Sequence, residues 1–337
     1  MISLADIRAA AARIEGRVLR TPFLYSDSIS RATGAKVWLK LENLQATGAY
    51  KERGAANRLA LLTPEERSRG VVAMSAGNHA QAVARHAQLL GIQATIVMPR
   101  HTPVTKVTRT ASWGANVVLH GEALADAAAH AHHLAEAKGM VFIHPFDDEG
   151  VMAGQGTMAL EMLTDKPDLD ALVIPVGGGG LISGSAVAAA ALKPGIEVIG
   201  VEVAAYAAFA QILAGQPVSV GGPTIAEGIA VRDIGVKPLA VVRALVHDVI
   251  VVPERAVEEA IALLAEGAKT VAEGAGAAGV AALLAFPDRF QGRLCRDLFA
   301  EEQIGSGVAA WPHPGHVKPD TTRHACFPQA AQRRGYI

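Results

Sequence analysis

The sequence predicts an α/β protein with two open, mostly parallel twisted sheets flanked by helices, and three observations support this fold class. Short β-rich runs alternate with alanine-rich helical segments along most of the 337 residues. The strand candidates are continuously apolar, which is typical of strands buried on both faces of a parallel sheet. Half of the residues are apolar, which is enough for a substantial core. We therefore expect ligands at the carboxyl ends of strands, where loops lead into helices.

The individual elements follow this alternation. Met1 to Arg20 contains a Ser3-x-x-Asp6 capping box and predicts an amphipathic helix, because its charged residues interrupt the apolar run that a signal peptide needs. The segment 171–192 carries no charge, but Pro175 and the glycines after it divide it into strand, loop and helix, which argues against a membrane span. The predicted strands are Val71–Met74, Ala94–Met98, Asn116–Leu119, Met140–Ile143, Leu172–Val176, Val198–Val203 and Val249–Val252.

Charge and cysteine content narrow the classes of partner. Thirty-one Lys and Arg residues are balanced by thirty-two Asp and Glu residues, and the formal net charge of -1 is not concentrated in blocks. The chain therefore lacks the basic footprint of a nucleic-acid-binding or membrane-surface protein, and we expect a small-molecule partner. The two cysteines, Cys295 and Cys326, are too few for a disulfide framework and predict a cytoplasmic location.

The segment around Lys51 is the first candidate for chemistry. Thr47 and Gly48 predict a turn, and the small residues from Gly54 onward predict a closely packed helix, so Lys51 lies where a loop meets a helix. The helix N-terminus and the adjacent Arg53 disfavour a charged lysine, and a neutral amine is the form that attacks an aldehyde. A solvated surface lysine is the alternative that these residues alone leave open.

The second candidate, Ser75-Ala76-Gly77-Asn78-His79, lies between a predicted strand and a predicted helix. Backbone N–H groups at such a junction bind anions, here a substrate carboxylate, and the amide of Asn78 is suited to hydrogen-bond a ring oxygen. An ordinary turn capped by Asn78 explains the same residues and stays open as the alternative.

The third candidate is Gly177-Gly178-Gly179-Gly180-Leu181, which follows an apolar strand and precedes an alanine-rich helix. Consecutive glycines let the backbone approach an anion, and the helix dipole attracts it, so the segment predicts a phosphate site. A nicotinamide dinucleotide is the competing ligand, but Ile182 occupies the position of the third glycine in the G-x-G-x-x-G pattern.

In this order, the three segments resemble the fold-type-II pyridoxal-phosphate enzymes, whose fold is like that of the tryptophan synthase β subunit, and among them the threonine and serine dehydratases. The resemblance runs from about residue 4 to residue 292. Further segments that resemble the family are Thr21-Pro22, His144 to Asp148, Gly154 to Thr157, Gly200 to Glu202, Thr224 to Val231 and Glu273 to Gly279.

The resemblance implies a pyridoxal 5'-phosphate cofactor and assigns residues to it. Lys51 would hold the cofactor as a Schiff base, and Asn78 would bond to the 3-oxygen of its pyridine ring. The phosphate would be held by Gly177, Gly178, Gly179, Gly180 and Leu181. The substrate would be held by Ser75, Ala76, Gly77, Asn78 and His79. Residues 1–46 and 151–292 would form a large cofactor-binding domain, residues 47–150 a small substrate domain, and residues 293–337 an atypical, poorly ordered tail.

The implied reaction is a β-elimination that dehydrates and deaminates L-threonine to 2-oxobutanoate and ammonia, and L-serine to pyruvate, with Lys51 as the general base at Cα. The resemblance also implies a homo-oligomer, with a dimer as its simplest form, and no feedback by isoleucine, since the regulatory domain of some relatives is absent.

Serine racemase activity is the lesser alternative, because such enzymes carry a serine hydroxyl where this chain has Ala76. No metal is expected: Glu202 matches one ligand of related enzymes, but residues 203–209 supply no second carboxylate.

The sequence departs from the family after residue 292. The family has Ser or Cys followed by Gly-Gly-Asn at the end of a buried strand, and that hydroxyl or thiol bonds to the pyridine nitrogen. Residues 293–302 are instead rich in charge, with Gly305-Ser306-Gly307 as a faint substitute, so we expect the strand to be missing. An out-of-frame reading of this segment is one hypothesis. The alternative function is then a cofactor-binding protein with impaired or no catalysis.

Overall fold

The structure, a computed structural model, describes residues 1–299, and residues 294–299 at the level of the backbone. The strands are β1 (Phe23–Tyr25), β2 (Lys36–Leu41), β3 (Val71–Met74), β4 (Ala94–Met98), β5 (Asn116–Leu119), β6 (Val141–Phe142), β7 (Ala171–Pro175), β8 (Glu197–Val203), β9 (Asp248–Val252) and β10 (Leu294–Phe299). The α-helices are α1 (Leu4–Ile14), α2 (Asp27–Thr33), α3 (Lys51–Ala60), α4 (Pro64–Arg69), α5 (Asn78–Leu89), α6 (Val104–Ser112), α7 (Leu124–Lys138), α8 (Glu149–Asp165), α9 (Gly180–Leu192), α10 (Ala208–Leu213), α11 (Val236–Leu245), α12 (Glu254–Gly267), α13 (Gly274–Ala285) and α14 (Pro287–Phe290).

The strands form two sheets, which confirms the predicted α/β fold class. The order in the larger sheet is β1-β2-β10-β7-β8-β9, and the order in the smaller sheet is β5-β4-β3-β6. Every pairing within residues 1–299 is parallel except the antiparallel pair of β1 and β2 at one edge. The smaller sheet uses only residues that the sequence assigned to the small domain. The domain boundaries at residues 46 and 150 stay a prediction.

The strand that the sequence predicted to be missing is present. The backbone of β10 pairs with β2 from Leu294 opposite Lys36 to Phe299 opposite Leu41, and it also pairs with β7. The prediction was wrong because a ladder between two parallel strands is made by backbone N–H and C=O groups, which a polar sequence supplies as well as an apolar one. Gly305-Ser306-Gly307, Cys326 and the tail after residue 299 lie outside the described residues.

Two local sequence predictions, the helix cap at Ser3 and the division of segment 171–192, agree with the structure. The hydroxyl of Ser3 accepts a hydrogen bond from the backbone N–H of Asp6, whose carboxylate accepts one from the N–H of Ser3, so the predicted capping box at α1 is confirmed. The uncharged segment 171–192 divides into β7, a glycine loop and α9, as predicted. None of the helices in the described part of the chain is long and apolar enough to cross a membrane.

Glycines allow three helices near the site to pack at close range. A methyl group on Gly154 of α8 would lie 2.5 Å from the carbonyl oxygen of Arg53 in α3, and one on Gly184 of α9 would lie 2.2 Å from the carbonyl oxygen of Met152 in α8. These separations are shorter than any carbon–oxygen contact, so only glycine fits at either position. The close packing fixes α3, which begins at Lys51, against α8.

Candidate active site

Lys51 is the first residue of α3 and is half-buried. Its amine donates a hydrogen bond of 3.4 Å to the carbonyl oxygen of Pro145 and lies 5.2 Å from the centre of the Tyr50 ring. The preceding loop is joined to the helix by its backbone, since the N–H of Arg53 donates to the carbonyl of Tyr50. The predicted loop-to-helix junction is therefore confirmed, and the solvated surface position is not what the structure contains.

The glycine loop follows β7 and leads into α9, which begins at Gly180. Gly179 has a φ of 91°, a left-handed conformation that favours glycine. A methyl group on Gly177, Gly178 or Gly180 would lie within 3.1 Å of another atom, and the nearest case is 2.2 Å between Gly178 and the Phe146 ring. The loop thus brings bare backbone to the N-terminus of a thirteen-residue helix, which is a surface that fits a phosphate group.

Lys51 and the glycine loop line one cavity. The residues around it come from the α3 entry, the β7–α9 loop and two neighbouring segments: Tyr50, Lys51, Phe146, Pro175, Gly177, Gly178, Gly179, Gly180, Leu181, Ile182, Gly228 and Val231. A primary amine and a loop whose bare backbone fits a phosphate, in one cavity, suit a ligand that carries both an aldehyde and a phosphate. Sequence reasoning did not anticipate Gly228 and Val231 in particular, although the segment that contains them matched the family.

The segment from Ser75 to His79 joins β3 to α5 but does not line this cavity. The backbone N–H of Gly77 donates to the Ser75 hydroxyl at 3.1 Å, so this N–H group already has an acceptor. Asn78 begins α5 and is buried, as is His79. The segment and the lysine contact the same stretch of chain. His79 Nε2 lies 3.0 Å from the carbonyl of Ile143, two residues before Pro145, which accepts from Lys51.

His79 is a neutral histidine beside the candidate lysine. Burial and, secondarily, the positive charge of Lys51 lower the pKa of His79 to about 3. With Nε2 donating to the Ile143 carbonyl, Nδ1 carries the lone pair, and within the part of the chain that the structure describes this nitrogen has no hydrogen-bond partner. The neutral imidazole therefore keeps an unused hydrogen-bond acceptor in the protein interior.

Residues 144–148 connect the lysine to the glycine loop. The sequence did not predict this connection. Pro145 accepts from Lys51, and the Phe146 ring packs against Gly178. His144 holds the turn, since its Nδ1 accepts from the backbone N–H groups of Phe146 at 3.3 Å and Asp147 at 2.8 Å. These two bonds give His144 a structural role in this turn. The match of this segment to the family was the available signal.

Arg53 and Glu202, two charged residues named from the sequence, each have partners in the structure. Arg53 was expected to disfavour a charged lysine, but its guanidinium is bound to the carboxylates of Glu42 and Glu161, which balance its charge. Glu202 uses both carboxylate oxygens to accept 2.9 Å hydrogen bonds from the N–H groups of Phe209 and Ala210 at the start of α10. The expected lack of a metal site stays a prediction.

The fold and the cavity together define an enzyme class. The family model for pyridoxal-phosphate-dependent enzymes matches residues 14–295, and the chain belongs to this family. The glycine loop and Lys51 are the residues of the described chain that fit the phosphate and the aldehyde of that cofactor.

Within the family, the chain is similar to enzymes named for threonine or serine. It is 49% identical to the L-threonine ammonia-lyase of Thermotoga maritima over 286 residues, which cover 84% of this chain and 71% of that one. The crystal structure of a T.th. threonine deaminase matches with a TM-score of 0.85 and 36% identity, covering 91% of this chain and all of that one. The structure of maize serine racemase also matches with a TM-score of 0.85 and 36% identity, covering 90% and 96% of the two chains.

Proposed function

We propose that this protein deaminates L-threonine to 2-oxobutanoate and ammonia, and L-serine to pyruvate, with pyridoxal 5'-phosphate as its cofactor. The observation that carries the proposal is the shared cavity of Lys51 and the Gly177–Leu181 loop. The names of its relatives, an L-threonine ammonia-lyase and a threonine deaminase, support the choice of substrate.

The residues of this chain would divide the work. When bound, the cofactor supplies a conjugated ring that accepts electron density from the substrate Cα. Lys51 would bind the cofactor aldehyde and, once displaced by the substrate amine, would remove the Cα proton as general base. The loop from Gly177 to Leu181 would hold the phosphate, Asn78 the ring 3-oxygen, and the backbone of Ser75 to His79 the substrate carboxylate.

The first test compares K51A with K106A. Lys51 is a cavity residue, whereas Lys106 pairs with Glu227 on the surface and serves as the matched lysine control. We expect K51A to lose the absorbance of the lysine-bound cofactor, the mass label left by borohydride reduction, and 2-oxobutanoate production from L-threonine. K106A should retain all three. A borohydride label that stays in K51A would refute the role of Lys51.

The second candidate function is a cofactor-binding protein with little or no turnover. It is favoured by the sequence after residue 299, which does not contain the Gly-Gly-Asn of the family. The two candidates differ in one comparison on the unmodified protein: cofactor absorbance together with 2-oxobutanoate release indicates the lyase, and absorbance without release indicates the binding protein.

Serine racemisation is a third possibility, since the maize serine racemase is among the similar structures. Racemisation needs a group that donates a proton to the opposite face of Cα, and the methyl group of Ala76 has no proton to donate. We propose that racemisation is minor. A chiral assay of L-serine turnover in which D-serine forms as fast as pyruvate would contradict this.

We also propose that the protein acts in the cytoplasm as a homo-oligomer, with a dimer as the simplest form. Its balanced charge and two cysteines support the compartment, and family resemblance supports the assembly. Light scattering on the purified protein measures the assembly, and a monomer at micromolar concentration would contradict it.

A further inference from the structure

The carboxylate of Glu52, directly after Lys51, is buried and has partners on two other segments of the chain. One oxygen accepts from the backbone N–H of Thr47. The other accepts from Arg85 at 2.8 Å and lies 3.1 Å from Nε2 of His86. The proposed reaction does not use this carboxylate.

These partners lie on the loop that leads to Lys51 and on α5, the helix that follows the proposed substrate-binding segment. Thr47 begins the turn that leads to Lys51, so its bond to Glu52 closes that turn onto the first residues of α3. Arg85 and His86 belong to α5, whose first residue is Asn78. One side chain therefore connects the lysine loop, the helix that carries the lysine, and the helix that begins with the proposed substrate-binding segment.

The ionised state of Glu52 fits this connecting role. Burial opposes the charge, but the hydrogen bond and charge of His86, the N–H of Thr47 and the charge of Arg85 together lower the pKa of Glu52 below its ordinary value. A buried carboxylate is retained at a cost unless several partners offset its lost hydration. A residue that only continued α3 would not need a charge here, since any apolar helix former would fill the same buried position.

We infer that Glu52 is a positioning residue for Lys51, which holds the lysine loop and α5 in one fixed relation. The inference rests on the proposed function, because it assigns Glu52 a purpose through the amine of Lys51. A small displacement of a reacting amine is enough to slow a reaction about 100-fold, so loss of this connection should be visible in the reactivity of Lys51.

The test uses E52Q and follows the cofactor-free protein as it reacts with pyridoxal phosphate. Glutamine keeps the length and one acceptor for the Thr47 N–H but removes the charge that pairs with Arg85. We expect the absorbance of lysine-bound cofactor to appear at least about tenfold more slowly in E52Q, and kcat for L-threonine to fall in parallel. The matched control is E259Q, which removes an exposed carboxylate paired with Arg255 and should react like the unmodified protein.

A second variant approaches the same contact from α5. R85A removes the arginine that pairs with Glu52. Because the Arg85 side chain is 18% exposed, this variant is a second way to break the contact if E52Q does not fold. R85A should slow the reaction with pyridoxal phosphate in the same direction, and E52Q/R85A should be no slower than the slower single variant. Additive losses in the double variant, or reaction at the unmodified rate in either single variant, would overturn the inference. If the unmodified protein does not bind the cofactor, the proposed function itself is refuted.

Discussion

The guanidinium of Arg53 forms two parallel hydrogen bonds of 2.8 Å with the carboxylate of Glu42, and neither side chain is exposed to solvent. Glu161 binds Arg53 at 2.6 Å and Lys40 at 2.6 Å, so two cations and two anions form one buried cluster. The cluster connects β2, α3 and α8 close to the start of the helix that carries Lys51. Its formal charge sums to zero, which lets four charges share the interior as long as all four partners are present.

Replacing Arg53 by methionine should destabilise the protein strongly. The change leaves the buried carboxylates of Glu42 and Glu161 without their main partner, and removal of one member of a buried ion pair costs about 3 to 5 kcal/mol. Urea denaturation followed by circular dichroism measures this loss. R31M is the matched control, because Arg31 pairs with Asp27 in an exposed helical pair that contributes little. A loss in R53M as small as in the control would contradict the prediction.

The strands most visible in the sequence are those whose burial is uniform or whose ends are marked by turns. β3, β4 and β5 were predicted residue for residue, because each is a short run of β-forming residues between turns. β2 was not predicted, since it includes Lys36 and Lys40, and a lysine in a short run indicates a surface position. Lys40 is fully buried, but its charge is satisfied by Glu161, which lies 121 residues away in the sequence.

In the candidate site, too, the sequence shows the features that depend on local residues and does not show the contacts between distant segments. The glycine loop and the turn before Lys51 were visible because their backbone geometry demands glycine, a requirement that local sequence shows. The partners of Glu52 and Arg53 were not visible, because ion pairs between distant segments leave no spacing signal. β10 was missed for the opposite reason: its side chains argued against a strand that the backbone pairing with β2 and β7 supports.

Alanine at Gly178 should weaken cofactor binding. Its methyl group would lie 2.2 Å from the Phe146 ring, so either the loop or the ring has to move. We expect at least about a tenfold increase in the Kd of pyridoxal phosphate, measured by titration of absorbance, since the loop would no longer present its backbone in place. The double variant G178A/F146A removes the clash and should recover part of the affinity. Unchanged affinity in G178A would show that the loop does not hold the phosphate.

His79 should make the protein sensitive to acid. The folded-state pKa of about 3 lies below the ordinary value of 6.5, so the unfolded chain binds this proton more tightly. The stability that a neutral His79 provides is therefore complete above pH 6.5 and is lost as the pH falls toward 3. Between about pH 6.5 and 4.5 the loss should be about 2 kcal/mol. In H79Q, which keeps a donor for the Ile143 carbonyl, urea denaturation should show a shallower decline over this range.

Glu202 should act in the opposite direction. Burial raises its pKa to about 7 from 4.5, against the hydrogen bonds from the start of α10, so here the folded protein holds the proton more tightly. Stability from this group is complete below pH 4.5 and is lost as the pH rises to 7, by about 2 kcal/mol between about pH 5 and 7. The contribution of His79 to protein stability rises over part of the same pH range, so the effect of Glu202 has to be measured as a difference between variants.

E202Q should lose less stability than the unmodified protein from about pH 5 to 7, whereas E227Q, which removes an exposed carboxylate, should follow the unmodified curve. Parallel curves for E202Q and the unmodified protein would show that Glu202 is ionised throughout, with its charge balanced by the N–H groups of Phe209 and Ala210.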